Sequence, residues 1–143
     1  MIKTCDIRTI SGIDSSVLKY MEIKQHEKVI YCSDQTTNLK AIIAVHNTNL
    51  GPALGGTRIW NYDNTSDAAN DVLRLSRGMT YKAAITGLEL GGGKAVIIGN
   101  KEDKTDEMMH AFGDFVESFL GTYITAEDVG MTTHDMEMIY KKT

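Results

Sequence analysis

The sequence predicts an α/β domain, and three observations carry that prediction. Lys94–Gly99, KAVIIG, is a short, continuously apolar run of the kind that forms a strand buried on both faces of a sheet. Lys28–Ser33, KVIYCS, and Lys40–His46, KAIIAVH, are runs rich in β-branched residues, and the polar turn DQTTN between them predicts a β-hairpin. Segments of helical period separate the strand candidates that follow. At 143 residues the chain suits a single domain, long enough to bury a core.

Taken in order, Asp14–Glu22, DSSVLKYME, predicts a short helix capped by Asp14 or Ser15, with Val17, Tyr20 and Met21 on its apolar face. After the hairpin comes NTNLGPALGG, where glycines and the only proline cluster, read as a loop through which a ligand could approach backbone. Trp60 is read as a packing residue below that loop. From about Ser66 to Ile85 the apolar positions Ala69, Val72, Leu73, Met79 and Ala83 keep helical spacing, with Asp67 and Asp71 early and Arg74 and Arg77 later, as the helix dipole favours. Lys82 falls in the last turn, and Gly87 supplies a left-handed residue to end it. Thr105 caps a further helix with Met108, Phe112, Phe115, Val116 and Phe119 on its core face and Gly121 at its close. Thr122–Ala126, TYITA, is the next strand. Thr132 and Asp135 then form a capping-box variant that opens a last helix with Met136, Ile139 and Tyr140 on its face.

Composition narrows the function classes. Hydrophobic residues make up 42% and charged residues 24%, the balance of a folded soluble domain. A net charge of −4 with scattered lysines and arginines offers no basic stripe for nucleic acid. The opening MIKTCDIRTISGIDSS lacks a secretory apolar centre, and no run approaches the ~20 apolar residues of a membrane span, so a cytoplasmic protein with no membrane partner is expected. Cys5 and Cys32 share no CxxC spacing and sit near no His or Cys cluster, so neither a disulfide framework nor a metal site is expected. His26, His46, His110 and His134 lack ligand spacing and are read as surface or satisfied core residues.

The chemistry concentrates around LGGGKAVII, Leu90–Ile98. A phosphate loop needs glycine, four residues, then Gly-Lys-Ser/Thr between a strand and a helix. Here Leu88 stands at the first glycine position, Ala95 follows the lysine, and the strand comes after it. The dinucleotide fingerprint GxGxxG fails too. What remains is a glycine-rich loop leading from a helix that bears Lys82 to a strand that opens with Lys94, with Asp128 ending another strand. Glycines 91–93 remove the side chains beside Lys94 and could leave room for a small molecule. A second cation and partial burial lower a lysine's pKa toward the range of a base, and a nearby carboxylate can trade protons. The bland alternative is a tight turn with two solvated lysines. Residues alone point to a site for an anionic substrate and do not name the reaction.

GPALGGTRIW, LRLSRGMTYKAA, LGGGKAVIIG and YITAEDVG, in that order, closely resemble the N-terminal domain of the NAD-dependent amino-acid dehydrogenases, leucine dehydrogenase most of all, from about Leu18 onward. The resemblance implies a three-layer sandwich, a mixed sheet flanked by helices. It implies oxidative deamination of an L-amino acid to a 2-oxo acid and ammonia. Lys82 resembles the lysine that binds the substrate carboxylate, Lys94 the lysine of lowered pKa that activates water, and Asp128 the acid-base group at the amino nitrogen. Leu54, Gly55, Gly56 and Met79 resemble the pocket wall. Ala126 resembles the leucine-type pocket, where phenylalanine enzymes tend to have glycine; one methyl is worth only about 1–3 kcal/mol of discrimination. Met131 departs from the threonine usual there. Family members carry a second, Rossmann-type domain that binds NAD. Residues 1–143 therefore read as a single substrate-binding and oligomerisation domain, inactive alone, with no cofactor residue of its own and a homo-oligomeric assembly; NAD and NADP are not distinguished. Phenylalanine dehydrogenase, or a non-catalytic module that binds amino acids or assembles oligomers, is the rival reading.

Overall fold

The structure is a computed structural model that describes residues 16–143. The predicted caps Asp14 and Ser15, and Cys5, lie outside the described residues. Helix α1 runs Ser16–Lys24 and lays Val17, Tyr20 and Met21 on the core, as the sequence predicts. Strands β1 (Lys28–Asp34) and β2 (Leu39–Asn47) form the predicted hairpin, with register from Lys28↔Val45 to Asp34↔Leu39. Its turn closes where the Asp34 carboxylate accepts from the Thr37 hydroxyl at 2.8 Å and Asn38 takes φ 61.

The next stretch corrects a prediction. Only residues 48–52 form the loop; Ala53–Trp60 is a strand, β3. Helix α2 (Thr65–Ile85) follows, capped by Asn64, whose side chain accepts from the Asp67 amide at 2.8 Å. It ends beside Gly87 at φ 73, the expected left-handed position. Strand β4 then spans Gly91–Ile98, so the three glycines read as a loop belong to the strand. Helix α3 (Asp106–Glu117) starts at the Thr105 cap, β5 is Tyr123–Glu127, and α4 (Thr133–Tyr140) opens with the reciprocal Thr132–Asp135 box.

The sheet order is β1-β2-β4-β3-β5, with β2 antiparallel to its neighbours and β3 parallel to both β4 and β5. It is the mixed sheet of a three-layer sandwich, because both faces are covered. Ile43, Ala95 and Ile97 pack with Met109, Phe112 and Ile139 on the α3–α4 face, while Ile42, Ala44 and Val96 pack with Val72 and Leu73 of α2 on the other. Adjacent residues alternate between the two cores, which is why KAVIIG is apolar at successive positions.

The strand glycines serve this packing. A Cβ at Gly92 would lie 2.2 Å from both the Thr80 amide nitrogen and its hydroxyl oxygen, one at Gly91 1.9 Å from the Asn47 carbonyl, and one at Gly93 2.8 Å from the Tyr123 ring. The space they free is thus filled by α2, β2 and Tyr123, which corrects the expectation of a ligand-sized gap. Trp60 is also corrected. It ends β3 at 56% exposure on the wall of a cleft, beyond the cover of the core.

Two histidines are core residues with partners: His26 Nε2 meets the Leu73 carbonyl at 2.8 Å, and His46 bridges the Thr80 hydroxyl and the Lys24 carbonyl, each at 2.8 Å. His134 is an exposed partner of Asp106 at 2.8 Å. His110 departs from the expected pattern, since its buried Nε2 has no hydrogen-bond partner among the described residues.

Candidate active site

Side-chain alternation sorts the predicted residues. Gly92 faces α2, so Lys94 and Val96, two and four residues on, face it as well. On β3, Ala53 and Ile59 belong to the opposite core, which leaves Leu54, Gly56 and Arg58 on the Lys94 face. Ala126 is half-buried and pairs with Gly56 across β3 and β5. Asp128, just past β5, stands over Gly56: a Cβ at 56 would be 2.9 Å from the Asp128 Cβ.

Lys94 is 6% exposed, and its Nζ donates to Asp128 Oδ2 at 2.6 Å. Arg58 Nε donates to the same oxygen at 3.2 Å, and its second nitrogen reaches Asp71 Oδ2 on α2 at 3.1 Å. Asp71 is held in turn by the Tyr62 hydroxyl at 2.5 Å and by Arg74 at 2.6 Å. Burial by itself pushes the Asp128 carboxyl up, but the Lys94 bond and charge, with the Arg58 charge, outweigh it and hold Asp128 below the usual carboxylate range. Asp128 is therefore an anion at neutral pH, able to accept a proton. Burial and the Asp71 carboxylate push the Tyr62 phenol up, so it stays a donor.

The structure thus brings Lys94, Asp128, Gly56, Leu54 and Ala126 onto one face. Lys82 lies exposed in the last turn of α2, the helix covering that face, and among the described residues its ammonium makes no hydrogen bond or ion pair. Met79 is half-buried on the same helix. Gly55 points the other way: its Cβ would fall 1.5 Å from the Gly93 carbonyl oxygen, and its own carbonyl accepts from the Tyr123 hydroxyl at 2.8 Å. Gly55 belongs to strand packing rather than to the pocket wall.

Sequence reading missed Arg58, Asp71 and Tyr62. Once β3 is taken as a strand, the period of two that puts Gly56 on the Asp128 face puts Arg58 there too. Asp71 was legible only as a charge suited to the first turns of a helix.

The turn beyond Asp128 is pinned from below. Met131 is buried in the α3–α4 core, its amide donates to the Asp128 carbonyl at 3.1 Å, and Lys104 donates to the Gly130 carbonyl at 2.6 Å and pairs with Asp135. Apolar packing anchors the position where the resemblance leads one to expect threonine. Two clefts open at this end of the parallel strands, one of about 430 Å³ lined by Arg58, Trp60, Asp71 and Val129, the other of about 330 Å³ lined by Trp60, Asn100 and Gly130. Neither is walled by Lys82 or Lys94. Among the described residues no group of three or more His, Cys, Asp and Glu could hold a metal ion, and no helix is long and apolar enough to cross a membrane.

With this geometry in view, residues 21–143 match the family described as Glu/Leu/Phe/Val dehydrogenase, dimerisation domain. The chain belongs to that family. It is 56% identical over 128 residues to leucine dehydrogenase from Geobacillus stearothermophilus, covering 89% of this chain and 35% of that protein. Phenylalanine dehydrogenase from Caldalkalibacillus thermarum is 51% identical over 129 residues, covering 90% of this chain and 35% of its own length. The crystal structure of L-tryptophan dehydrogenase from Nostoc punctiforme superposes with a TM-score of 0.87 at 49% identity, covering 89% of this chain and 38% of that one. The chain spans about a third of the length of the curated relatives it matches, 35% for the two compared here. Relatives of similar identity are thus named for aliphatic and for aromatic amino acids, and the shared domain is common to both.

Proposed function

We propose that this chain is the substrate-binding domain of an NAD-dependent amino-acid dehydrogenase, oxidatively deaminating a branched-chain L-amino acid to its 2-oxo acid and ammonia. The observation that carries the reading is the Lys94–Asp128 contact, a buried ammonium 2.6 Å from a half-buried carboxylate, on the face that also bears Leu54, Gly56 and Ala126.

The cofactor does not fit the residues of this chain. Gly91–Gly93 lie inside β4 with their Cβ positions blocked, and no helix N-terminus opens after them, so LGGGK forms no cradle for a pyrophosphate. The oxidant is NAD held by a second, dinucleotide-binding domain, and hydride removal is assigned to no residue described here.

Within this reading Lys82 holds the substrate carboxylate with its unpaired charge. Asp128, ionised at neutral pH, takes a proton from the amino nitrogen and later returns one. Lys94, released from Asp128 when substrate enters, gives its ammonium proton to solvent, and the neutral amine then orients the attacking water and takes its proton as the oxygen bonds to the imine carbon. Ala126 narrows the side-chain wall by one methyl and favours aliphatic over aromatic substrates. The domain self-associates, a reading supported by the family's dimerisation role, and residues 1–143 without the cofactor domain do not turn over.

The test is absorbance at the NADH band for the protein joined to its cofactor domain, given NAD and L-leucine, L-valine, L-isoleucine, L-phenylalanine or L-glutamate in turn. Turnover with the three branched-chain acids is the expected result. Preference for phenylalanine moves the substrate assignment. Silence with all five makes the chain a binding or assembly module.

A further inference from the structure

Lys94 and Arg58 converge on one oxygen of Asp128, but only Arg58 is itself anchored. Its guanidinium spans two carboxylates, Asp128 at 3.2 Å through Nε and Asp71 at 3.1 Å through a terminal nitrogen. Asp71 cannot easily follow it, because the Tyr62 hydroxyl and Arg74 both hold that carboxylate from α2 and the loop before it. Lys94, on a flexible stem, has a single carboxylate partner among the described residues, and that partner is Asp128.

The two cations therefore have separable duties. A lysine that must leave Asp128 to meet substrate cannot also keep Asp128 in place. We propose that Arg58, braced by Asp71, is the positioning residue for Asp128: it fixes the carboxylate's direction and keeps it charged while Lys94 is engaged elsewhere.

This inference rests on the dehydrogenase reading for its catalytic meaning and on geometry alone for its structural one. The guanidinium reaches the two carboxylates through different nitrogens of one rigid planar group, so both contacts are held in a fixed relative geometry. The charged groups facing Asp128 are Lys94 from β4 and Arg58 from β3; behind Arg58 stand Asp71 and Arg74 of α2 and the Tyr62 phenol, while Glu127 precedes Asp128 on the exposed edge strand. Removing Arg58 leaves Asp128 with one cation, and removing the Asp71 charge leaves Arg58 free to swing away.

The experiment follows the Asp128 carboxyl carbon by NMR through an acid titration, assigned with Asp128→Asn, in the native sequence and in Arg58→Gln, Arg58→Lys and Asp71→Asn. The Asp128 midpoint should move up in Arg58→Gln, move up less in Asp71→Asn, and return most of the way in Arg58→Lys. In the protein joined to its cofactor domain, Arg58→Gln should lower kcat by about tenfold to a hundredfold with little change in KM, and shift the acid limb of the kcat profile upward. An Asp128 midpoint unmoved in folded Arg58→Gln overturns the proposal. If that variant does not fold, an unmoved midpoint in Asp71→Asn, where the arginine is retained, overturns it instead. The titration needs no turnover, so absence of dehydrogenase activity in the native sequence would strike the reaction while the carboxyl shift still decides the bracing.

Discussion

Gly56 and Asp128 share one space: a Cβ on Gly56 would lie 2.9 Å from the Asp128 Cβ and 3.1 Å from the Glu127 carbonyl oxygen. The backbone of β3 is thus the floor on which the carboxylate stands. Gly56→Ala should push Asp128 away from Lys94 and cost about tenfold or more in kcat, since displacements under an ångström already matter for proton transfer. Steady-state kinetics beside a melting curve checks it: a melting loss with unchanged kcat would sever the glycine from the site.

Two other glycines should respond in opposite directions. At Gly92 a methyl meets the Thr80 amide and hydroxyl at 2.2 Å and the Ser76 carbonyl at 2.6 Å, so α2 must lift from β4. Gly92→Ala should destabilise by about 3 kcal/mol. Gly78, in the middle of α2, meets nothing within 4 Å, and Gly78→Ala should stabilise by about 0.5–1 kcal/mol through helix propensity. Urea unfolding of both variants makes the comparison.

Acid stability should fall in two stages. Burial holds the His26 imidazole below its ordinary value, opposed by its bond to the Leu73 carbonyl and aided by the His46 and Arg77 charges. Its contribution is complete above the unfolded value of about 6.5 and is lost as pH falls toward the folded one. For Asp128 and Asp135 burial raises the pKa, but Lys94 with Arg58, and Lys104 with Thr132, lower it further. Their contributions are complete above about 3.9 and are lost as pH falls through the depressed folded values. Melting temperature should therefore begin to decline below about pH 6.5 and steepen below about pH 4. His26→Gln should flatten the first stage alone.

Lys104 ties the turn after Asp128 to the start of α4 through Gly130 and Asp135. Lys104→Met leaves the buried Asp135 without its cation and should cost about 3 kcal/mol. A melt unaffected by the change would show that the ion pair does not hold this turn.

The hairpin, α2, α3 and the capping box of α4 were legible because their signals are local: β-branched runs around a polar turn, apolar residues at helical spacing, and Thr132 three residues before Asp135. ALGGTRIW and Gly91–Gly93 were not read as strands, since glycine leaves no apolar alternation to see, and the reason for it lies in Thr80, Asn47, Tyr123 and Asp128, each distant in sequence. Lys94 and Asp128 could be singled out as chemistry-bearing residues. The Arg58 bridge could not, because it exists only once β3 and α2 are packed together.

Under the proposed function Lys94 and Asp128 together do the proton work of amino-acid oxidation. The decisive measurement is kcat/KM for the branched-chain acids, in the protein joined to its cofactor domain, for the native sequence, Lys94→Ala and Asp128→Asn, with folding verified by circular dichroism. Losses of about a thousandfold or more are expected in each variant, with the fold kept. Folded variants that retain native turnover would contradict it.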